Sequence, residues 1–76
     1  MNHARLSTSR RLQRVLRALR EAKGEISSLE LTLKAKVAAV GTAISELRAN
    51  GAEIHCRQVH QDGMRRFFYR LIKEPT

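Results

Sequence analysis

The chain has 76 residues, of which 15 are Lys or Arg and 7 are Asp or Glu, and its formal net charge is +8. A chain this short buries only about 60% of the surface that its unfolded form exposes, so we expect one domain with a modest core and no enclosed active site. Apolar residues make up 42% of the sequence, which is too many for a disordered chain.

The positive charge is concentrated near the N-terminus, because residues 1–20 contain six arginines and no acidic residue. Such a field attracts nucleic acid, an anionic membrane or an acidic protein, and charge alone does not distinguish them. No apolar run reaches the roughly 18 residues that cross a bilayer. The single cysteine, Cys56, has no partner for an internal disulfide, which favours a reducing, cytoplasmic setting. We predict a flexible basic arm over residues 1–8, a folded domain over 9–72 and a tail over 73–76.

The first predicted helix has Ser7 or Ser9 as its N-cap, runs to about Ala22 and is ended by Gly24. At 100° per residue its apolar side chains fall on one side and its arginines on the other. A basic amphipathic helix can also lie on a membrane, but this apolar face has no Trp or Phe to anchor it there. We therefore predict no membrane partner and a helix that packs on a core with a basic outer face of Arg10, Arg14 and Arg17.

The second element begins with two helix-start signals. Ser27 and Glu30 fit a capping box, and Ile26 and Leu31 occupy the two positions of a hydrophobic staple. The alternation of apolar and polar residues over 29–37 is also the pattern of a strand. Helix is favoured, because the cap and the staple agree and the segment is rich in good helix formers.

A third helix and a β-hairpin follow. The helix begins after a turn around Ala35 to Val37 and runs to about Ala49. Asp62-Gly63 is the signal of a two-residue hairpin turn, and Met64 to Ile72 form the returning strand. The order of helix, helix, helix and hairpin predicts an α+β fold: a three-helix core containing a helix-turn-helix, with a C-terminal β-hairpin wing, which is a winged helix.

The chain resembles a known family over roughly residues 10–72, which is nearly its whole length. The stretch from Ile26 to Ile54 and the closing strand from Arg66 to Leu71 are similar to the small winged helix-turn-helix proteins of bacteriophages, prophages and other mobile bacterial elements. The motifs are Ile26-x-Ser28-Leu29-Glu30, then Leu47-Arg48 followed by Gly51 and Ile54, and Arg66-Phe67-Phe68-Tyr69-Arg70-Leu71. The resemblance implies a module that binds double-stranded DNA in regulation, excision, replication or packaging. Similar members often have Gly in the turn, where this chain has Lys36, so a left-handed residue there would be strained.

The third helix would enter the major groove, as the second helix of a helix-turn-helix does. Its predicted outward face has no Arg, Lys, Asn or Gln, the side chains that make bidentate contacts with base edges. Glu46, also placed on that face, would accept from cytosine but repel phosphate. The candidate base contacts are Ala39, Thr42 and Ser45. We therefore predict binding that depends on phosphates and DNA shape, with modest direct readout.

Candidate phosphate or groove contacts lie around the turn, on the wing and on the first helix. They are Lys34, Lys36 and Arg48, then Arg65 and Arg66, then Arg10 and Arg14, with Arg17 as an alternative. If four to six of them face one duplex, the slope of log affinity against log salt concentration is roughly −4 to −5.

Catalysis and cofactors are not predicted. The four glycines form no phosphate-binding pattern. His55 and Cys56 are neighbours on a strand and point to opposite faces, and with His3 and His60 they lack the spacing of zinc ligands. We interpret Cys56 as a small buried apolar residue and predict no enzyme, no metal and no cofactor.

The alternative is a winged helix that docks on another, possibly acidic, protein. Phe68 and Ile72 share a strand face that should point away from the helices, and an exposed pair would form a small apolar patch for a homodimer or a partner. A homodimer would read two half-sites, which would compensate for weak readout by one domain.

Overall fold

Three helices and a three-stranded antiparallel sheet make up the part of the chain, residues 5–76, that a computed structural model describes. In chain order they are α1 (Arg10–Ala22), β1 (Ile26–Ser27), α2 (Ser28–Ala35), α3 (Val40–Ala49), β2 (Glu53–Gln61) and β3 (Met64–Lys73). The strands lie in the order β1-β3-β2. This arrangement confirms the predicted α+β winged helix. The two-residue strand β1 was not predicted, because it exists only through its pairing with Tyr69 and Phe68 of β3.

Helix α1 supplies much of the core. Its N-cap is Ser9, whose Oγ accepts a hydrogen bond from the Leu12 amide at 3.2 Å. The helix ends at Ala22 as predicted, and its C-cap is Lys23, which takes the left-handed conformation (φ 52°) one residue before the predicted Gly24. The buried residues of α1 are Leu12, Val15, Leu16, Ala18 and Leu19. Within residues 5–76 no helix has the length and apolar character needed to span a bilayer.

Helix α2 begins at the predicted N-cap, Ser27, and the Glu30 carboxylate bonds the hydroxyl of that residue where the prediction had its amide. Ser27 Oγ accepts a hydrogen bond from the Glu30 amide at 3.1 Å, and the Ser27 hydroxyl donates to Glu30 Oε1 at 3.4 Å. Leu31 is fully buried, whereas Leu29 and Leu33 are each 69% exposed. In a strand all three side chains would share one face, so the alternative strand interpretation of this segment is wrong.

The hairpin turns at Asp62 and Gly63, which both have positive φ (52° and 74°) as a type I′ turn requires. Tyr69 of β3 is buried, while Cys56, its Cα partner on β2, is exposed. The prediction of a buried Cys56 was therefore wrong. The reason is that β2 is an edge strand, and Ile54 is the one residue of β2 that the helices bury.

Both ends of the described chain contact the domain. Residues 5–8, predicted as part of a flexible arm, form a turn in which the Leu6 amide donates to Asn50 Oδ1 at 3.2 Å and its side chain packs on the core. At the other end, the Thr76 amide donates to the Asn50 carbonyl at 3.2 Å. The rest of the predicted arm, residues 1–4, lies outside the described part of the chain.

Two exposed ion pairs give the domain an acid-sensitive component of stability. A hydrogen bond from Arg57 lowers the pKa of Glu25, and a hydrogen bond from Arg20 lowers the pKa of Glu74. A carboxyl group with a lowered pKa in the folded state stabilises that state fully above its unfolded pKa of about 4.5, and the contribution is lost as the pH falls through the folded pKa.

We therefore expect the melting temperature to fall on acidification below about pH 4.5. In a Glu25→Gln/Glu74→Gln variant, the melting temperature should fall less on acidification than it does in the wild type. Because both pairs are exposed, the difference should be modest. Thermal unfolding followed by circular dichroism from pH 7 to pH 3 measures it. Parallel curves for the variant and the wild type would contradict this role of the two pairs.

Candidate nucleic-acid interface

Helices α2 and α3 are joined by a turn that begins at Lys36. This residue is left-handed (φ 55°), and its amide donates to the Thr32 carbonyl. Helix α3 begins at Val40, three residues after the predicted end of the turn at Val37. It buries Val40, Ala43, Ile44 and Leu47 against the core. The opposite side of α3 therefore faces solvent. Helix α3 has the position of the second helix of a helix-turn-helix.

Glu46 does not lie on that solvent side. It is half-buried, and its Oε2 accepts a hydrogen bond from Arg11 Nη2 of α1 at 2.8 Å. The prediction that Glu46 faces outward was wrong, because the helix turns this position toward α1. As a result, the exposed side of α3 has no acidic side chain to repel phosphate. The ion pair also ties α3 to α1, a role for Arg11 that the sequence pattern did not indicate.

The exposed side of the first two turns of α3 consists of small residues. The three predicted base contacts, Ala39, Thr42 and Ser45, are all exposed there. Ala39 is the N-cap and makes no side-chain hydrogen bond to the first turn. Gly41 follows, and a Cβ built on it would meet no atom within 4 Å. The backbone of the first turn of α3 is therefore accessible to a large ligand.

Five cations lie together beside the turn. A cleft of about 280 Å³ between α1 and the end of α2 is lined by Arg14, Arg17, Lys34 and Lys36, together with Ala18 and Glu21. An adjoining hollow of about 300 Å³ is lined by Arg10, Gln13, Arg14 and Arg17. We call the five residues Arg10, Arg14, Arg17, Lys34 and Lys36 the basic cleft.

Contacts within the domain neutralise little of the positive charge of the basic cleft. Arg14 Nε donates to the Ala35 carbonyl at 2.8 Å, which fixes the arginine at the end of α2 without cancelling its charge. Arg17 Nε lies 3.8 Å from Glu21 Oε2, and both side chains are mostly exposed. Ion pairs of this kind contribute little in water. The cleft therefore presents a concentrated positive charge beside the turn that leads from α2 to α3.

The family model described as the winged helix-turn-helix domain matches residues 11–67 of this chain, from the first turn of α1 into β3. The chain belongs to the winged helix-turn-helix family. No curated protein and no solved structure matches it. Winged helix-turn-helix domains in general bind DNA, with the second helix of the motif in the major groove.

The wing of this winged helix-turn-helix domain holds two of the predicted contacts away from the basic cleft. Arg65 and Arg66 are exposed at the start of β3, and they line a separate cleft with the beginning of α2. Arg48 also lies apart from the basic cleft, because its Nη2 donates to the Ile54 carbonyl at 2.7 Å. Four of the seven predicted phosphate contacts therefore come together, and three do not.

The predicted dimer patch on the wing is reduced by a neighbouring side chain. The guanidinium carbon of Arg57 lies 4.9 Å from the centre of the Phe68 ring, and Arg57 is held there by Glu25. Phe68 is half-buried as a result, and Ile72 remains 52% exposed. Of the two residues proposed for this patch, Ile72 alone is exposed.

No group of three or more potential metal ligands occurs among residues 5–76 of the winged helix-turn-helix domain. His3, the remaining histidine considered as a zinc ligand, lies outside the described residues. The chemistry of this surface is that of fixed positive charge and accessible backbone.

Proposed function

We propose that this winged helix-turn-helix domain binds double-stranded DNA in the cytoplasm and catalyses no reaction. We infer that it serves as a transcriptional regulator or an accessory DNA-binding factor of a phage or mobile element, in line with the family resemblance of its motifs. The observation that supports DNA as the ligand is the basic cleft, which reaches Lys36 at the start of the turn between α2 and α3. A phosphate backbone is the ligand that such a row of cations and an accessible helix start fit together.

In the proposed complex α3 lies in the major groove. Ala39 contacts a thymine methyl group, and Thr42 and Ser45 each make one hydrogen bond to a base edge. The basic cleft holds the adjacent phosphates and sets the register of α3. Arg65 and Arg66 on the wing reach a phosphate or a narrow minor groove. Arg48 has donors beyond the one given to Ile54 and contacts phosphate from the end of α3.

Two copies of the domain on neighbouring half-sites would compensate for the weak readout by one α3. The exposed Ile72 and the partly covered Phe68 are the proposed contact between them. This dimer would form on DNA, where phosphates offset the net charge of +8 on each copy.

Selection of bound sequences from a random duplex library tests the proposal. An enriched palindrome would support specific binding by a dimer, and enriched A-tracts without a motif would support shape readout. A gel-shift with random duplex at low salt accompanies the selection, together with an Arg65→Ala/Arg66→Ala variant that should bind more weakly. No enrichment and no shift at low salt would contradict DNA as the ligand.

Replacing Lys36 with glycine should have opposite effects on the stability of the domain and on its affinity for DNA. In the folded state its left-handed backbone is strained, so Lys36→Gly should leave stability unchanged or raise it by up to about 1 kcal/mol. The same change removes a proposed phosphate contact, and affinity for duplex DNA should fall roughly eightfold at about 0.1 M salt. Urea unfolding and fluorescence anisotropy measure the two effects.

Lys23→Gly is the matched control, because Lys23 has the same left-handed conformation (φ 52°) at the end of α1 and does not line the basic cleft. It should change stability like Lys36→Gly and leave DNA affinity within about twofold, since it removes no phosphate contact. Equal losses of affinity in the two variants would show that general charge, and not the basic cleft, sets binding.

A further inference from the structure

Helix α2 exposes two large apolar side chains that the DNA-binding surface does not use. Leu29 and Leu33 lie one helical turn apart, and each is 69% exposed. Residues four apart on a helix lie on the same face. Both positions therefore form a short leucine ridge on the side of α2 that faces away from Leu31 and the core.

The ridge continues into a cleft between α2 and the wing. This cleft has a volume of about 200 Å³, and it is lined by Ser27, Ser28 and Leu29 on one side and by the run Met64–Phe67 on the other. Met64 is 62% exposed, and Phe67 is half-buried because it packs on the core. Leu33 lies on the ridge outside this lining, and we call Leu29, Leu33, Met64 and Phe67 together the apolar cleft.

The charges around the apolar cleft are positive. Arg65 and Arg66 line it, and within the described part of the chain neither forms an ion pair. The neighbouring Glu30 is occupied in part by its hydrogen bond from the Ser27 hydroxyl. An occupant of this cleft must therefore offer apolar side chains together with negative charge.

Those two requirements exclude the simplest occupants. Duplex DNA offers negative charge, but its phosphates gain nothing from leucine and methionine side chains. A second copy of this chain offers apolar side chains, but it would bring Arg65 and Arg66 of one copy toward those of the other, and each copy has a net charge of +8. An acidic amphipathic helix satisfies both conditions, because it places apolar residues at i and i+4 on one face and carboxylates beside them.

We propose that the apolar cleft is the docking site for an acidic, amphipathic helix of a partner protein. Leu29, Leu33 and Met64 contact the apolar face of that helix, and Arg65 and Arg66 pair with its carboxylates. The proposal does not depend on DNA binding. If DNA is bound as proposed above, the partner occupies the arginines of the wing and excludes DNA from them.

The test uses a library of random 16-residue peptides displayed on their messenger RNA. The peptides are selected on the immobilised wild-type chain in the presence of excess free Leu29→Ser/Leu33→Ser variant, which removes peptides that bind elsewhere. Enriched peptides should combine Asp or Glu with apolar residues three or four positions apart. In fluorescence anisotropy they should bind the variant at least tenfold more weakly than the wild type. A second variant, Arg65→Glu/Arg66→Glu, should also lose at least tenfold.

Three results would overturn the proposal. The first is that no peptide is enriched, or that the enriched peptides bind the leucine variant and the arginine variant as tightly as the wild type. The second is a wild-type dimer in sedimentation that Leu29→Ser/Leu33→Ser dissociates, because a second copy would then cover the cleft. The third is a loss of duplex DNA affinity in the leucine variant. Both leucines are exposed, so their replacement should leave the thermal unfolding curve close to that of the wild type.

Discussion

Replacing Lys34 and Lys36 with glutamine is expected to weaken binding to duplex DNA by roughly sixtyfold at about 0.1 M salt. Each phosphate contact releases about 0.9 of a counterion, which corresponds to a factor of roughly eight in affinity at that salt concentration. Both lysines line the basic cleft, and neither forms an ion pair in the part of the chain that is described. Anisotropy titrations at several salt concentrations should also show a slope that is less steep by about 2.

The control is Lys23→Gln/Lys73→Gln, a variant that has the same net charge as the Lys34→Gln/Lys36→Gln variant. Both of these lysines are exposed and lie outside the basic cleft. Because it removes no phosphate contact, this variant should keep its affinity within about threefold and its salt slope unchanged. If both double variants lose affinity equally, the domain binds through its overall charge, and the proposed cleft has no special role.

Replacing Leu31 with alanine should destabilise the domain by about 2–5 kcal/mol. Leu31 is fully buried beneath α2, and its loss leaves a cavity in a core to which α2 contributes one other buried residue, Ala35. A domain of this size has a total stability on the order of 5–10 kcal/mol, so the variant should be close to unfolding at 37 °C. Urea unfolding followed by circular dichroism at 222 nm measures the loss.

Leu33→Ala is the matched control, since it removes the same atoms two positions further along the same helix. Leu33 is 69% exposed, so this change should shift the free energy of unfolding by less than about 0.5 kcal/mol. Similar losses for the two variants would mean that both side chains share a buried face, as they would in a strand. The helical assignment of α2 would then be wrong.

The parts of the fold that local chemistry determines were predictable. Ser27 with Glu30 fixed the start of α2, and Asp62 with Gly63 fixed the hairpin turn, because caps and tight turns depend on residues only a few positions apart. The exposure of Cys56 was not predictable in the same way. Alternation along β2 places it on the core side, but its burial depends on how far the helices extend over the sheet.

The candidate site was predictable in its composition and not in its arrangement. Lys34 and Lys36 were singled out by charge and by their position at the turn, but only the packing of α1 on α2 places Arg14 and Arg17 beside them. Glu46 was misplaced, because the helical period does not reveal that Arg11 of α1 lies within 2.8 Å of it. Contacts between residues distant in sequence set both features.

Amide chemical shifts of the ¹⁵N-labelled domain, titrated with a random-sequence duplex at low salt, test the central claim most directly. We predict the largest shifts in residues 38–45, at the start of α3, and in Lys34 and Lys36 of the basic cleft, with the shifts reversed by added salt. Shifts confined to the apolar cleft around Leu29 and Met64, or no shifts at all, would contradict the proposal that this surface binds DNA.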